Sequence, residues 1–279
     1  MIGLINGSFY AMLSLGMAIV FGLLHVVNFA HGAIYMVGGF LAYLLMQYAG
    51  LNYWAALICV PLIVAPLAML LERGLLNRIK ALDPIYGFLL TFGITLVIEG
   101  MFRYWFGSSN RQYPTPELLR GVTILFGVPL PIYRIWIVVV SLVICLGTWF
   151  VIERSRLGGY LRAATENPKL VEVFGLNVPL MITLTFGGAA ALAALTGVLA
   201  APVFQVSPQM GAGLVVIVFA VVVVGGMGSI KGAIIAGYAF GVIEGITKVI
   251  YPEGSYAVIF IVMALVLLFR PNSKMLREG

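Results

Sequence analysis

The chain has 279 residues, of which 62% are hydrophobic and 9% charged, with a formal net charge of +6. Soluble domains hold about 45–50% apolar and about 25% charged residues, so this composition excludes a water-soluble globule and implies a membrane protein. The positive balance does not call for nucleic acid, because basic residues collect in the cytoplasmic loops of membrane proteins. Cys59 and Cys145 both lie in apolar runs, which leaves no disulfide framework and no thiolate metal site.

The chain opens MIGLINGSFYAMLSLGMAIVFGLL, without a basic leader region and interrupted by Gly7, Ser8 and Ser14. It reads as a first spanning helix, not a cleaved signal. Crossing about 30 Å of hydrocarbon at about 1.5 Å per residue takes about twenty residues. On that measure the predicted spans are 2–24, 30–49, 53–71, 85–106, 133–152, 179–201, 213–228, 232–250 and 255–270. The seventh and the last are short and fit a tilted or re-entrant segment. The expectation is an all-α polytopic protein, one transmembrane domain over 1–279, with eight to nine crossings.

Orientation follows from Lys and Arg. Arg73, Arg78 and Lys80 follow the third span, Arg154, Arg156, Arg162 and Lys169 the fifth, and Arg270, Lys274 and Arg277 the last. With nine alternating spans these fall on one side, which the positive-inside rule makes cytoplasmic, together with the C-terminus. The N-terminus is then external. So is the loop at about 107–132, which contains Arg111, Glu117 and Arg120 and whose Pro, Gly and Ser content predicts turns and irregular structure.

The region 154–178, RSRLGGYLRAATENPKLVEVFGLNV, is a basic, polar island between two spans. Leu161, Ala164, Leu170 and Phe174 supply apolar positions, and Arg162, Glu166, Lys169 and Glu172 supply charge. Asn167-Pro168 divides it into two short helices. An element of this kind suits the groove of a soluble partner and can pass that partner's motion to the helices on either side.

Polar groups inside the spans are few. Asn28 is an N-cap candidate for the second helix, and His31 lies three residues on; alternatively both contact substrate or shape a gate. His25 and His31 have no third ligand nearby, so they do not make a metal site. Glu99 and Glu244 lie within spans, where a carboxylate is costly and marks a bundle interior, a cavity or a partner. Each has a base at i+4, Arg103 and Lys248, which predicts ion pairs on one helix face; a proton relay is the sharper alternative. Small residues crowd the later helices, Gly187, Ala193, Gly197, Gly225, Gly232 and Gly237 among them, and predict close helix packing. The run GMGSIKG at 226–232 lacks the spacing of a phosphate-binding loop, and no metalloprotease or serine-hydrolase signature is present.

Three stretches together resemble the H-type permease subunits of branched-chain (hydrophobic) amino acid ABC importers. They are GLLHVVNFAHGAIYMVGGFLAYLL at 22–45, RAATENPKLVEVFGLNV at 162–178 and GGMGSIKGAIIAGYAFGVIE at 225–244. The likeness extends along essentially the whole chain, and the NFAHG run after the first helix is its most specific part. The resemblance implies an ABC importer permease fold in the bacterial inner membrane, not an enzyme. ATPase coupling would fall to Gly159, Arg162, Ala163, Asn167 and Gly175, and Asn28 and His31 would lie near the translocation pathway. Tyr160 stands where the family has an arginine, and Asn272 to Gly279 departs from the family's ending after Arg270-Pro271.

The partners so implied are a second, M-type permease subunit, two ABC ATPase subunits and an extracytoplasmic substrate-binding protein. This chain would bind no cofactor of its own, with ATP and Mg carried by the ATPases. The alternatives are a permease for urea or short amides in the same family, or an ion-coupled secondary carrier using Glu99 and Glu244.

Overall fold

The hydropathic segments become helices in a computed structural model that describes residues 1–24, 27–79, 82–125 and 127–269. Helix α1 is Ile2–Leu24 and α2 is Ala30–Ala49; α3, Tyr53–Leu71, continues through one π-turn, Glu72–Leu76, into the short α4, Asn77–Ile79. Then come α5, Pro84–Phe106, and α6, Ile132–Arg154, followed by the island helices α7, Arg156–Glu166, and α8, Pro168–Val173. Helices α9, Val178–Phe204, α10, Ala212–Gly225, α11, Ile230–Ile250, and α12, Ala257–Phe269, complete the order. Among the described residues, seven helices are long and apolar enough to cross a membrane, while α10 and α12 are shorter apolar helices. His25, Lys80 and the basic tail Arg270, Lys274 and Arg277 lie outside the described residues.

The region 107–131 is more ordered than its composition predicts. Strands β1, Val122–Leu125, and β2, Val128–Pro131, pair antiparallel with Val122 opposite Pro131. Upstream, Arg111 exchanges two backbone hydrogen bonds with Val206, at 2.7 and 2.8 Å, which fastens this loop to the end of α9.

Helix α1 carries no charge and is buried on nearly every side. A helix apolar all round belongs in the centre of a bundle, and here glycine decides how closely its neighbours approach. Helix α11 runs antiparallel to it: Gly245 lies against Gly3, Gly241 against Gly7 and Gly237 against Ala11. A Cβ on Gly241 would stand 2.2 Å from the Gly7 nitrogen, and one on Gly237 2.5 Å from the Ala11 Cα. The seam continues through the Ser14 hydroxyl, which donates to the Ala233 carbonyl at 3.1 Å, and ends where Gly22 meets Gly228. Two further seams meet on α9, where Gly38 of α2 abuts Ala194 and Gly187 abuts Met69 of α3.

These contacts give the bundle two ends. One carries the island, the π-turn and the turn at 226–229; the other carries the hairpin, the start of α1 and the close of α11. The run at 226–232 is a packing turn: Ser229 caps α11 by accepting from the Gly232 amide at 3.1 Å, and Gly225 and Gly232 touch backbone to backbone.

Glycine at the seam predicts a sharp contrast. Gly241→Ala is expected to destabilise the protein by about 1–3 kcal/mol, because the added methyl meets only backbone. Gly147→Ala on α6, where a Cβ meets nothing within 4 Å, is expected to be neutral or stabilising. Thermal unfolding of the two variants in detergent, followed by size-exclusion fluorescence, checks this.

Candidate functional site

The island folds as its sequence predicts. Helix α7 ends at Glu166. The Asn167 side chain then accepts from the Leu170 amide at 3.1 Å and, with Pro168 in the first turn, starts α8. Gly175 reverses the chain at φ 82°, a left-handed conformation that costs an L side chain about 1–2 kcal/mol. Asn177 caps α9 by accepting from the Leu180 amide at 3.0 Å.

A small apolar cluster of Ala164, Val171, Val178 and Ile182 pins the island onto the start of α9. Gly158 packs so tightly on the Ile152 carbonyl that no Cβ fits, whereas Gly159 meets nothing. Within the island's family match, Gly159, Arg162, Ala163, Asn167 and Gly175 are all exposed, as is Tyr160. Of the predicted apolar positions Ala164 is buried, but Leu170 and Phe174 are 53% and 76% exposed. Together with Val173, at 82%, they form an apolar face that this chain leaves uncovered.

Beneath the island, at the π-turn, lies a buried carboxylate that hydropathy does not single out. Glu72 is 2% exposed and accepts a hydrogen bond from the Thr183 hydroxyl at 2.7 Å, with the Arg73 Nε 3.4 Å from the same hydroxyl. By hydropathy the third span ends at Leu71, and Glu72 and Arg73 read as the loop beyond it. The helix instead continues, and a π-turn, a form that recurs at functional sites, turns Glu72 inward.

Asn28 and His31 are both buried. Asn28 accepts from the Ala30 amide at 3.1 Å, a local turn bond, but the N-cap of the second helix is the next residue, Phe29, which makes no side-chain cap bond, so the expected cap is displaced by one residue. His31 occupies the gap left by Gly16, where a Cβ would stand 2.8 Å from the ring, and its Nε2 has no partner among the described residues. No group of three metal-binding side chains occurs among the described residues.

Glu99 and Glu244 have opposite surroundings. Glu99 continues the buried stripe Gly87, Thr91, Thr95 on α5. The predicted Glu99–Arg103 ion pair is not made: no such contact falls within 4 Å, and Oε1 has no hydrogen-bond partner among the described residues. Glu99 is buried in the bundle, while Arg103, on the last turn of the helix, is exposed. Glu244 does lie near Lys248, at 4.0 Å, but its stronger partners are on α1. Asn6 donates to Oε2 at 2.9 Å and the Tyr10 hydroxyl at 2.7 Å. These three side chains stand on one wall of a cavity of about 410 Å³ at the hairpin end, which neither Asn28 nor His31 lines.

A bundle of long apolar helices, with a polar cavity at one end and an uncovered apolar face at the other, has the build of a polytopic membrane protein. The chain belongs to the family described as branched-chain amino acid transport system / permease component, which it matches over residues 1–267. It is 30% identical to the high-affinity branched-chain amino acid transport system permease protein BraD of Pseudomonas aeruginosa, over 97% of this chain and 92% of that protein. It is 28% identical to the high-affinity branched-chain amino acid transport system permease protein LivH of Salmonella typhimurium over the same shares, 97% of this chain and 92% of that protein. A probable branched-chain amino acid transport permease protein LivH of Methanocaldococcus jannaschii is 26% identical over 86% of this chain and 78% of its own length. The chain is thus a transport permease component, and its relatives are permeases, not enzymes.

The buried acid at the π-turn yields a prediction. Thr183→Val strips Glu72 of its hydroxyl donor and is expected to destabilise the protein by about 1–3 kcal/mol, the cost of an unsatisfied buried acceptor. Thr183→Ser keeps the donor and is expected to melt near the parent. Thermal melts of both in detergent compare them directly.

Proposed function

We propose that this chain is the H-type subunit of an ATP-driven importer for branched-chain and other hydrophobic amino acids. It pairs with an M-type permease subunit, and two ABC ATPase subunits dock on the island at its cytoplasmic face. An extracytoplasmic binding protein delivers substrate at the hairpin end. The membrane is the bacterial inner membrane, with the island end inside and the N-terminus outside, in accord with Arg154, Arg156, Arg162 and Lys169 at the island. ATP and Mg belong to the ATPases; this chain supplies the path and the lever.

The observation that carries this reading is the island's outer face. Leu170, Val173 and Phe174 are large, apolar and exposed on a segment held rigidly by Gly158 and the Ala164–Val171–Val178 cluster. Exposed apolar patches rimmed by polar residues mark protein contacts, and Lys169 and Glu172 are exposed on the same short helix. A partner that changes shape on binding ATP shifts the permease only by contacting its two states differently. The island is suited to that, because α6 enters it and α9 leaves it. Gly159, Arg162, Ala163, Asn167 and Gly175 are the proposed contact and hinge positions.

The test is reconstitution. The chain, purified with its membrane partner and ATPases and placed in proteoliposomes with the binding protein, is expected to take up leucine only when ATP is supplied. Arg162→Glu is expected to lower uptake by about tenfold or more, the loss typical of a central interface residue, with the melting of the permease unchanged. Uptake by this chain alone under an ion gradient would establish a secondary carrier instead; uptake of urea or an amide in place of leucine would reassign the substrate.

A further inference from the structure

The cavity at the hairpin end has no role in the coupling described above. Its volume of about 410 Å³ lies within the range of about 300–1,000 Å³ typical of small-molecule sites. Its lining is divided by chemistry. Phe9, Leu214 and Ile217 offer an apolar wall, while Asn6, Arg134, Glu244 and Lys248 offer polar and charged groups.

Three features distinguish it from a packing defect. Arg134 is exposed at the first turn of α6 and makes no ion pair among the described residues. Tyr35 is fully buried, lines the cavity, and its hydroxyl has no hydrogen-bond partner among the described residues. The backbone between α9 and α10 is non-helical, passes Gln205 in a left-handed conformation at φ 62°, and contributes Ser207, Gln209 and Met210 to the wall. Within a membrane protein irregular backbone is stable where it lines a cavity or is covered by protein. Strained residues of this kind cluster at functional sites.

Charge gives the cavity a polarity. Helix α10 begins at Ala212, and Gly213 and Leu214 of its first turn line the cavity. The Ala212 amide donates to the Gln209 carbonyl at 3.2 Å, while the amides of Gly213 and Leu214, next in that turn, have no intrahelical acceptor and stand at the positive end of the helix dipole. Arg134 adds a full positive charge. Glu244 lines the same cavity, with Oε2 satisfied by Asn6 and Tyr10, while Oε1 has Lys248 at 4.0 Å.

We propose that this cavity is a substrate site within the single subunit, which takes an apolar α-amino acid as its zwitterion. Arg134 and the start of α10 receive the carboxylate, Glu244 Oε1 receives the ammonium, and Phe9, Leu214 and Ile217 receive the side chain. The site deepens the importer reading and rests on it. Affinity requires all three parts: an amine without the acid leaves Arg134 unpaired, and a carboxylic acid without the amine forgoes the contact with Glu244 Oε1. Asn6 and Tyr10 position the Glu244 carboxylate for this contact.

The test is equilibrium binding of radiolabelled L-leucine to the assembled transporter in nanodiscs, without binding protein, alongside uptake by the same preparation in proteoliposomes. The parent is expected to show saturable binding that isoleucine and valine displace, and that isocaproate and isoamylamine do not. Arg134→Gln is expected to weaken binding by about tenfold or more, the effect of losing one charged hydrogen-bond partner. Leu214→Trp, which fills the cavity from its apolar wall, is expected to abolish binding. A parent that takes up leucine but shows no saturable binding overturns the site and leaves the importer reading standing. The site is equally overturned if both variants bind and transport like the parent. A parent assembly that takes up no leucine with ATP and binding protein overturns the importer reading, and the site with it.

Discussion

The close antiparallel contact of α1 with α11 is the constraint on which the remaining structure depends. Lipid is as apolar as leucine, so helices in a bilayer gain little by burying apolar faces together, and backbone proximity has to supply the attraction. Gly3, Gly7 and Ala11 against Gly245, Gly241 and Gly237 supply it, one contact per turn. With α1 fixed at the centre by this seam, α2 and α3 reach α9 by the same device, through Gly38 against Ala194 and Met69 against Gly187. The polar groups gain their geometry from the same seam. Asn6 and Tyr10 lie on α1 one turn apart, facing Glu244 on α11, and a shift of one turn between the helices would separate all three.

The spans were legible because hydropathy is a local property. The predicted 2–24 and 30–49 coincide with α1 and α2, and the shortness of α10 and α12 was visible in the lengths of their apolar runs. The island's division was legible for a similar reason, since Asn167-Pro168 carries both a cap and a break within two residues. Other features depend on direction around a helix or on distant pairing. Glu72 reads as the start of a loop because nothing in the residues nearby announces a π-turn. Arg103 reads as the partner of Glu99 by spacing alone, yet Arg103 sits on an exposed last turn, where water is a better partner than a buried acid.

The cavity was illegible for a deeper reason. Its lining draws on α1, α2, α6, α10, α11 and the break after α9, so no window of the sequence contains it. Hydropathy does mark Glu244 as an acid in a costly position. It carries no sign of Asn6 and Tyr10, more than two hundred residues away, whose hydrogen bonds make that carboxylate tolerable. Glu99 has no comparable set among the described residues. Two acids that look alike in a hydropathy trace therefore differ in kind: one is held by donors beside a cavity, the other has an oxygen without a donor.

Helices α6 and α9 connect the two ends. Helix α6 carries Arg134 at its first turn and Arg154 at its last, and α9 runs from Val178 at the island to Phe204 on the cavity wall. Each is a continuous helix; the 23 residues of α6 span about 34 Å at about 1.5 Å per residue. Gly158 on the Ile152 carbonyl and the Ala164–Val178–Ile182 cluster join the island to both. On the proposed function, these two helices carry a displacement of the island to Arg134 and to Phe204 and the non-helical chain after it, which line the cavity. Helices α1 and α11, locked by glycine, hold Glu244 in place meanwhile. On the proposed function, the carboxylate-binding wall moves with the ATPases while the ammonium-binding wall stays with the central seam. Parting those walls weakens a zwitterion's hold at both charged ends in one step.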